Sequence, residues 1–127
     1  MLKHTLVLGA SLKPNRYSNV AIKRLREHDH PVTAVGLLEG AVQDVSIITF
    51  ESAFAKAEDH KNKYHTITLY LGAKNQVAYY DYIISLNPER VIFNPGTENP
   101  ALYRLLEENN IAYEASCTLV LLATNQY

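Results

Sequence analysis

The segment TLVLGASLKPNRYS, residues 5–18, contains a short apolar run, a glycine-containing loop and the beginning of a more polar stretch. Thr5–Leu8 is apolar and is ended by Gly9, which predicts a short buried strand. Ser18–Glu27 carries apolar residues on one side and charged residues on the rest, which predicts an amphipathic helix with Ser18 as its N-cap. Together they predict a strand–loop–helix unit.

The same alternation of strand and helix continues along the rest of the chain. Further strands are predicted at Val32–Val35, Val45–Thr49, Thr66–Leu71, Val91–Phe93 and Ile111–Ala115. Helices are predicted at Ser52–Glu58, at Gln76–Leu86, from Asn99-Pro100 to near Asn109-Asn110, and at Thr118–Thr124. Because the strands alternate with helices and read as apolar runs, we predict an α/β fold with a doubly wound, mostly parallel sheet and helices on both faces.

Composition sets limits on the class of protein. The chain has 127 residues, which predicts a single domain spanning residues 1–127. A net charge of −1 argues against wholesale binding of nucleic acid. No apolar run is long enough for a membrane span, and no signal peptide is recognisable, so no membrane association is expected. The single cysteine, Cys117, cannot form an internal disulfide, which favours a cytoplasmic location.

Two loops that follow predicted strands carry the residues suited to ligand binding. In residues 9–18, Gly9 allows a sharp turn, and small side chains let a ligand approach the backbone at the start of a helix. Lys13 and Arg16 add cations, so this loop is predicted to hold a phosphate. The simpler alternative is a solvated turn before a helix. The second loop, Asn94–Pro100, contains two prolines and a glycine and is expected at the same edge of the sheet.

The nicotinamide dinucleotide pattern does not fit these loops well. Ser11 and Pro14 stand where the glycine-rich fingerprint has its second and third glycines. The acidic residue expected after the second strand is also missing, since that region reads Val35-Gly36-Leu37-Leu38 and Glu39 comes late. These residues favour a different adenine nucleotide.

The motifs resemble those of the small, stand-alone CoA-binding proteins with a Rossmann-like fold, which are related to the CoA-binding domain of succinyl-CoA synthetase. VLGASLKPNRYS at Val7–Ser18 and NPGTEN at Asn94–Asn99 carry the resemblance, which runs from about His4 to Cys117. The chain is similar to the family again at Ala115-Ser116-Cys117, where family members often have a cysteine. The resemblance implies a Rossmann-like domain that holds coenzyme A at the carboxyl edge of the sheet.

The resemblance also implies a role for individual residues. The pyrophosphate would be held by Gly9, Ala10 and Ser11, with Arg16, Tyr17 and Ser18 beside it. The adenosine would be flanked by Val35 and Gly36, and the crevice would be lined by Tyr70 and Leu71 and closed by Pro95 and Gly96. Positive charge would come from Lys13, Arg16 and Lys74. Two turns depart from the family. Gly36-Leu37-Leu38 replaces a frequent Asn-Pro-Lys, which removes a cation, and Gly72-Ala73-Lys74-Asn75 replaces a proline-containing turn.

Non-catalytic or regulatory binding of coenzyme A or an acyl-CoA is therefore the expected function. One alternative is a small NAD(P)-dependent oxidoreductase or a CoA-transferring enzyme, for which only Glu98 and Cys117 are candidate catalytic groups. Another is a protein-interaction scaffold with a degenerate nucleotide site, which would dock through exposed tyrosines at residues 79, 80 and 82 and would allow a homodimer.

No metal site is expected. His28 and His30 read as surface residues at the end of a helix, and the other histidines lack the spacing of metal ligands.

Overall fold

The computed structural model describes residues 1–127 and contains one mixed, mostly parallel sheet. Its strands, in chain order, are β1 (Thr5–Ala10), β2 (Val32–Gly36), β3 (Gly40–Val42), β4 (Val45–Thr49), β5 (Thr66–Leu69), β6 (Arg90–Phe93) and β7 (Ala112–Ala115). They lie in the order β3-β4-β2-β1-β5-β6-β7. Every neighbouring pair is parallel except β3 and β4. The predicted mostly parallel sheet is confirmed.

Helices follow most of the parallel strands. They are α1 (Tyr17–Glu27), α2 (Phe50–Ala55), α3 (Ala73–Gln76), α4 (Tyr80–Leu86), α5 (Pro100–Glu108) and α6 (Thr118–Ala123), with a 3₁₀ turn at Val77–Tyr79 between α3 and α4. From β1 the chain first winds outward through β2 to β4, and then returns to the other side of β1 at β5. The strand order therefore reverses between β1 and β5, where ligands bind in sheets of this kind.

The core has two halves, one on each face of the sheet. Alternate residues of β1 enter different halves: Leu6 and Leu8 pack on one face and Val7 packs on the other. The larger half includes buried residues of α4 and α5, and the smaller half includes buried residues of α1 and α6. Both faces are thus covered by helices, as predicted. No helix of the chain is both long enough and apolar enough to cross a membrane.

β3 is a three-residue strand in a segment for which the sequence predicts no element. It forms an antiparallel hairpin with β4, in which Ala41 is opposite Ser46 and Val42 is opposite Val45. Gln43 lies in the turn with a positive φ of 54°. A strand this short has too few alternating residues to be recognised from its pattern.

The prediction that Ser18 caps α1 is wrong. The helix begins one residue earlier, at Tyr17, so that Arg16 occupies the cap position and makes no side-chain capping hydrogen bond. Ser18 lies inside the first turn and is buried.

The tyrosine-rich segment does not form an exposed aromatic patch. Tyr79 and Tyr82 are buried and both contact Phe50, whereas Val77 is exposed. Tyr79, Tyr82, Ile83 and Leu86 are buried in the core, and the partly buried Tyr80 and Ile84 also pack against it. The docking surface that these tyrosines would have offered is therefore absent.

His30 is also buried, contrary to the prediction that it lies on the surface. Its Nδ1 accepts a hydrogen bond of 2.9 Å from the backbone N–H of Lys3. His28 is exposed, as expected.

Candidate functional site

A cleft of about 990 Å³ lies at the carboxyl ends of β1, β2, β5 and β6. Its volume is in the range of sites that hold nucleotides and cofactors. Of the residues predicted to bind the ligand, the cleft is lined by Gly9, Ala10, Ser11, Lys13, Arg16, Tyr17, Ser18, Gly36, Tyr70, Leu71, Pro95 and Gly96. The structure therefore brings together loops that are widely separated in the sequence.

Two predicted residues do not line this cleft. Val35 lies in β2 with a fully buried side chain, so it supports the floor of the cleft from within the core. Lys74 is exposed on α3, outside the set of lining residues. The cleft also has lining residues that the sequence analysis did not select, namely Leu12, Leu37, Leu38, Gly72, Asn75, Tyr79 and Thr97.

Gly9 shapes the loop between β1 and α1. It has a φ of +90° and is the extra residue where the pairing of β1 with β2 shifts between Leu8 and Ala10. A Cβ at Gly9 would lie 2.9 Å from the backbone carbon and oxygen of Tyr70, so only glycine fits. The bulge lies at the carboxyl end of β1, at the point where the strand order reverses.

The remainder of that loop is held against α1. The side-chain amide of Asn19, a buried residue, donates a 2.9 Å hydrogen bond to the carbonyl oxygen of Ser11. The Ser11 hydroxyl accepts a 3.1 Å hydrogen bond from the backbone N–H of Lys13. Since α1 has neither a side-chain cap nor an acidic residue in its first turn, its N-terminal N–H groups are left for an anion.

The charges of the cleft have one sign. Lys13 and Arg16 are the charged residues among those that line it, and both are exposed. Neither takes part in the ion pairs of the structure, which involve Arg24, Arg26, His65 and Arg90. Two unpaired cations next to an uncapped helix N-terminus can bind a diphosphate, and no carboxylate is among the residues that line the cleft.

Asn94 fixes the second loop, which follows β6. Its buried amide donates hydrogen bonds of 2.6 Å to Thr68 Oγ1 and 2.9 Å to the carbonyl oxygen of Leu69. Its Oδ1 accepts a 2.9 Å hydrogen bond from the backbone N–H of Thr118. One side chain thus joins β5, the end of β6 and the start of α6, a role that its place in a predicted loop did not reveal.

Beyond Asn94 the same loop makes a tight turn at Gly96, whose φ is +91°. The backbone N–H of Gly96 donates a 2.8 Å hydrogen bond to the Glu98 carboxylate. No atom lies within 4 Å of where a Gly96 Cβ would be, so this glycine faces open space at the cleft.

A buried pair of amides connects the two loops on this side of the cleft. Gln76 donates 2.7 Å hydrogen bonds to the carbonyl oxygens of Leu71 and Thr97. Asn99 donates 2.9 Å hydrogen bonds to Gln76 Oε1 and to the hydroxyl of Tyr80. These hydrogen bonds therefore fix the distance between the loop after β5 and the loop after β6. Sequence reasoning missed Gln76 because nothing local marks a glutamine as buried.

Tyr70 places a phenol beneath the cleft. Its hydroxyl is buried and has no hydrogen-bond partner. Burial raises the pKa of this hydroxyl well above that of an ordinary tyrosine, so the phenol stays neutral.

The two candidate catalytic groups lie outside the cleft lining. Cys117 is half-buried and immediately precedes α6. Glu98 is exposed, and its carboxylate accepts the hydrogen bond from Gly96. Neither is among the residues that line the cleft.

A second cavity, of about 700 Å³, lies at the opposite edge of the sheet, where parallel strands begin. It is lined by polar residues that include His4, Lys63, His65 and Glu89. Burial lowers the pKa of both histidines. No group of three or more His, Cys, Asp or Glu side chains is arranged to hold a metal ion.

Solved structures share this architecture. The crystal structure of an uncharacterized protein is 41% identical, with a TM-score of 0.89 over 100% of this chain and 99% of that one. A protein of Thermus thermophilus is 20% identical, with a TM-score of 0.82 over 99% of this chain and 91% of that one. A hypothetical protein from Pyrococcus horikoshii OT3 is 22% identical, with a TM-score of 0.80 over 98% of this chain and 84% of that one. The last two show likeness of fold only.

No curated protein matches the chain. The family described as CoA binding domain matches residues 3–123, which is nearly the whole chain. This match agrees with the Rossmann-like sheet and with the phosphate-compatible cleft at its carboxyl edge. The chain belongs to the CoA binding domain family.

Proposed function

We propose that this protein binds coenzyme A or an acyl-CoA in the cleft at the carboxyl edge of the sheet, and that it acts by binding and not by catalysis. The observation that carries the proposal is the charge arrangement: Lys13 and Arg16 face the cleft beside the uncapped start of α1, with no carboxylate among the lining residues. A diphosphate is the ligand group that this arrangement favours.

Each part of the cleft has a distinct task in this proposal. The backbone of Gly9–Ser11 and the first turn of α1, with Ser18, surround the diphosphate, and Lys13 and Arg16 neutralise it. Gly36 faces the adenosine, with Val35 as support beneath it. Tyr17, Tyr70 and Leu71 line the walls, and Pro95 and Gly96 close the end opposite the adenosine. Lys74, exposed on α3, contributes long-range positive charge.

A binding role without chemistry is proposed because acyl transfer needs a nucleophile or a general acid–base group within reach of the ligand. The Cys117 thiol and the Glu98 carboxylate lie outside the residues that line the cleft. A protein that only senses or carries the ligand needs neither group. Such a protein would change its stability or its contacts when the cleft is filled.

The direct test is titration calorimetry of the purified protein with coenzyme A, acetyl-CoA, NAD and NADP. We expect coenzyme A and acetyl-CoA to bind and Arg16→Ala to weaken binding by about tenfold or more, since hydrogen bonds to charged groups contribute about 1.5–3 kcal/mol. The matched control is Arg104→Ala, which removes the same charge from the exposed face of α5. Equal loss of affinity in both variants would contradict the assigned site.

Two further outcomes would contradict the proposal in different ways. Tight binding of NAD or NADP without heat from coenzyme A would favour the oxidoreductase. No heat from any of the four would favour a protein-interaction role. Catalysis is tested by incubating the protein with acetyl-CoA and measuring free thiol. A turnover that Cys117→Ala or Glu98→Gln abolishes would replace the binding role with an enzymatic one.

A further inference from the structure

The turn that follows β2 is apolar. In other nucleotide-binding sheets of this kind, the equivalent turn recognises the ribose. In doubly wound folds, a polar or charged residue at the end of the second strand contacts a ribose hydroxyl or a phosphate on the ribose. Here β2 ends at Gly36, and the next residues are Leu37 and Leu38. Both residues line the cleft, and they are 90% and 70% exposed, respectively.

A third leucine extends this apolar surface. Leu12, from the loop between β1 and α1, packs over the beginning of β3. A Cβ at Gly40 would lie 2.6 Å from Leu12 Cδ2, so the absence of a side chain at Gly40 lets Leu12 approach. Leu12, Leu37 and Leu38 therefore form a leucine wall on the β2 side of the cleft. The side chains of this wall can pack against a flat base, but they provide no hydrogen-bond donor for a phosphate.

The cations of the cleft do not provide the phosphate-binding groups that the leucine wall lacks. A phosphate monoester carries about −1.5 to −2 charges near neutral pH and needs cations or several N–H donors. The cations that line the cleft, Lys13 and Arg16, both belong to the loop that faces the proposed diphosphate. The next charged side chain after the leucines is Glu39, which is exposed and would repel a ribose phosphate.

We propose that the cleft recognises the adenine and diphosphate of its ligand and does not recognise a phosphate on the ribose. Coenzyme A and dephospho-CoA are then bound almost equally well. This inference rests on the proposed function, because it assigns the specificity of the same cleft.

The test compares coenzyme A with dephospho-CoA by titration calorimetry at two salt concentrations. We expect the two dissociation constants to differ by less than about threefold, whereas a built phosphate site would separate them by about tenfold or more. We also expect the same dependence on salt for both ligands, since an additional ionic contact would steepen it.

A gain-of-function variant makes the test independent of loss of folding. Leu38→Lys places a cation at an exposed position of the wall, and we expect it to favour coenzyme A over dephospho-CoA by about three- to tenfold. Leu38→Gln is the matched control, because it removes the leucine without adding charge. It should leave the ratio of the two affinities unchanged.

The outcomes separate this inference from the proposed function. Wild-type binding of coenzyme A that is tenfold or more tighter than that of dephospho-CoA would overturn the inference and leave the proposed function intact. A ratio that Leu38→Lys leaves unchanged would also count against it, because the turn would then not face the ribose. Absence of binding by both ligands would overturn the proposed function and the inference with it.

Discussion

Gly36 ends β2 at the point where the floor of the cleft meets its wall. A Cβ at this position would lie 2.3 Å from the carbonyl oxygen of Ala10 and 3.1 Å from Ile47 Cγ2. The first contact involves backbone, which cannot move aside without disturbing β1 at its bulge. The glycine is thus required by the close approach of two strands.

We expect Gly36→Ala to lower the free energy of unfolding by about 2–3 kcal/mol, because it inserts a methyl group into a packed backbone contact. The measurement is urea denaturation of the protein without ligand. Gly72→Ala is the matched control, since no atom lies within 4 Å of its Cβ position, and it should change stability by less than about 0.5 kcal/mol. Equal effects of the two substitutions would contradict the steric argument.

His30 makes stability depend on pH. Burial lowers its pKa below the ordinary value of 6.5, and its Nδ1 can accept the hydrogen bond from Lys3 only when that nitrogen carries no proton. The unfolded chain therefore binds a proton at higher pH than the folded one. The stability that His30 contributes is fully present above about pH 6.5 and is lost as the pH falls from there towards the lowered folded value.

We expect wild-type protein to lose more stability between pH 7.5 and pH 5.5 than His30→Gln, which retains a hydrogen-bond acceptor but does not titrate. Urea denaturation at both pH values measures the difference. His28→Gln is the control, because it removes an exposed histidine two positions away. If this control flattens the pH dependence as much as His30→Gln does, His30 is not the group responsible.

At the scale of the elements, α5 depends on a cap that also serves the cleft. Asn99 Oδ1 accepts hydrogen bonds from the backbone N–H groups of Ala101 and Leu102, and Pro100 begins the helix. The amide of the same side chain reaches Gln76 and Tyr80. One residue therefore both starts a helix and connects two loops.

We expect Asn99→Ala to destabilise the protein by about 2–3 kcal/mol, because it removes the cap and leaves Gln76 Oε1 buried without a donor. Asn99→Ser keeps a capping oxygen but loses the amide, so it should recover about 1 kcal/mol of this loss. Thermal and urea denaturation measure both values. If the serine variant is as unstable as the alanine variant, the cap does not contribute as described.

Asn99 also shows what can be predicted from sequence at this scale. The Asn99-Pro100 pair predicts the start of a helix from local chemistry alone, and this prediction is confirmed. The connection of Asn99 to Gln76 is not local, and neither is the burial of Asn94, so no sequence pattern reveals them. The same limit applies to the tyrosine segment, because Tyr79 and Tyr82 are buried against Phe50, which is distant from them in the sequence.

At the scale of the whole molecule, the arrangement of the loops follows from topology. An alternating pattern of strands and helices implies a parallel sheet, and a parallel sheet places its βα loops at one edge. This is why the loops at residues 9–18 and 94–100 could be predicted from the sequence to lie at the same edge of the sheet. Topology does not predict side-chain exposure, so the leucine wall and the position of Lys74 emerge only from the structure.

The same topology predicts how a ligand affects stability. A ligand in this cleft contacts loops from β1, β2, β5 and β6 at once, and unfolding would separate all of them. A ligand that binds only the folded state stabilises it by about 2.7 kcal/mol at a concentration of one hundred times its dissociation constant. For a chain of this size, that corresponds to a rise in melting temperature of roughly 10 °C.

We therefore expect coenzyme A to raise the melting temperature in a concentration-dependent way, as measured by differential scanning calorimetry. Arg16→Ala should melt within about 2 °C of the wild type without ligand, because Arg16 is exposed and makes no ion pair. At the same ligand concentration its rise should be smaller, since it binds more weakly. A variant that melts far below the wild type on its own would show that Arg16 supports the fold. A rise equal to that of the wild type would remove Arg16 from the binding site.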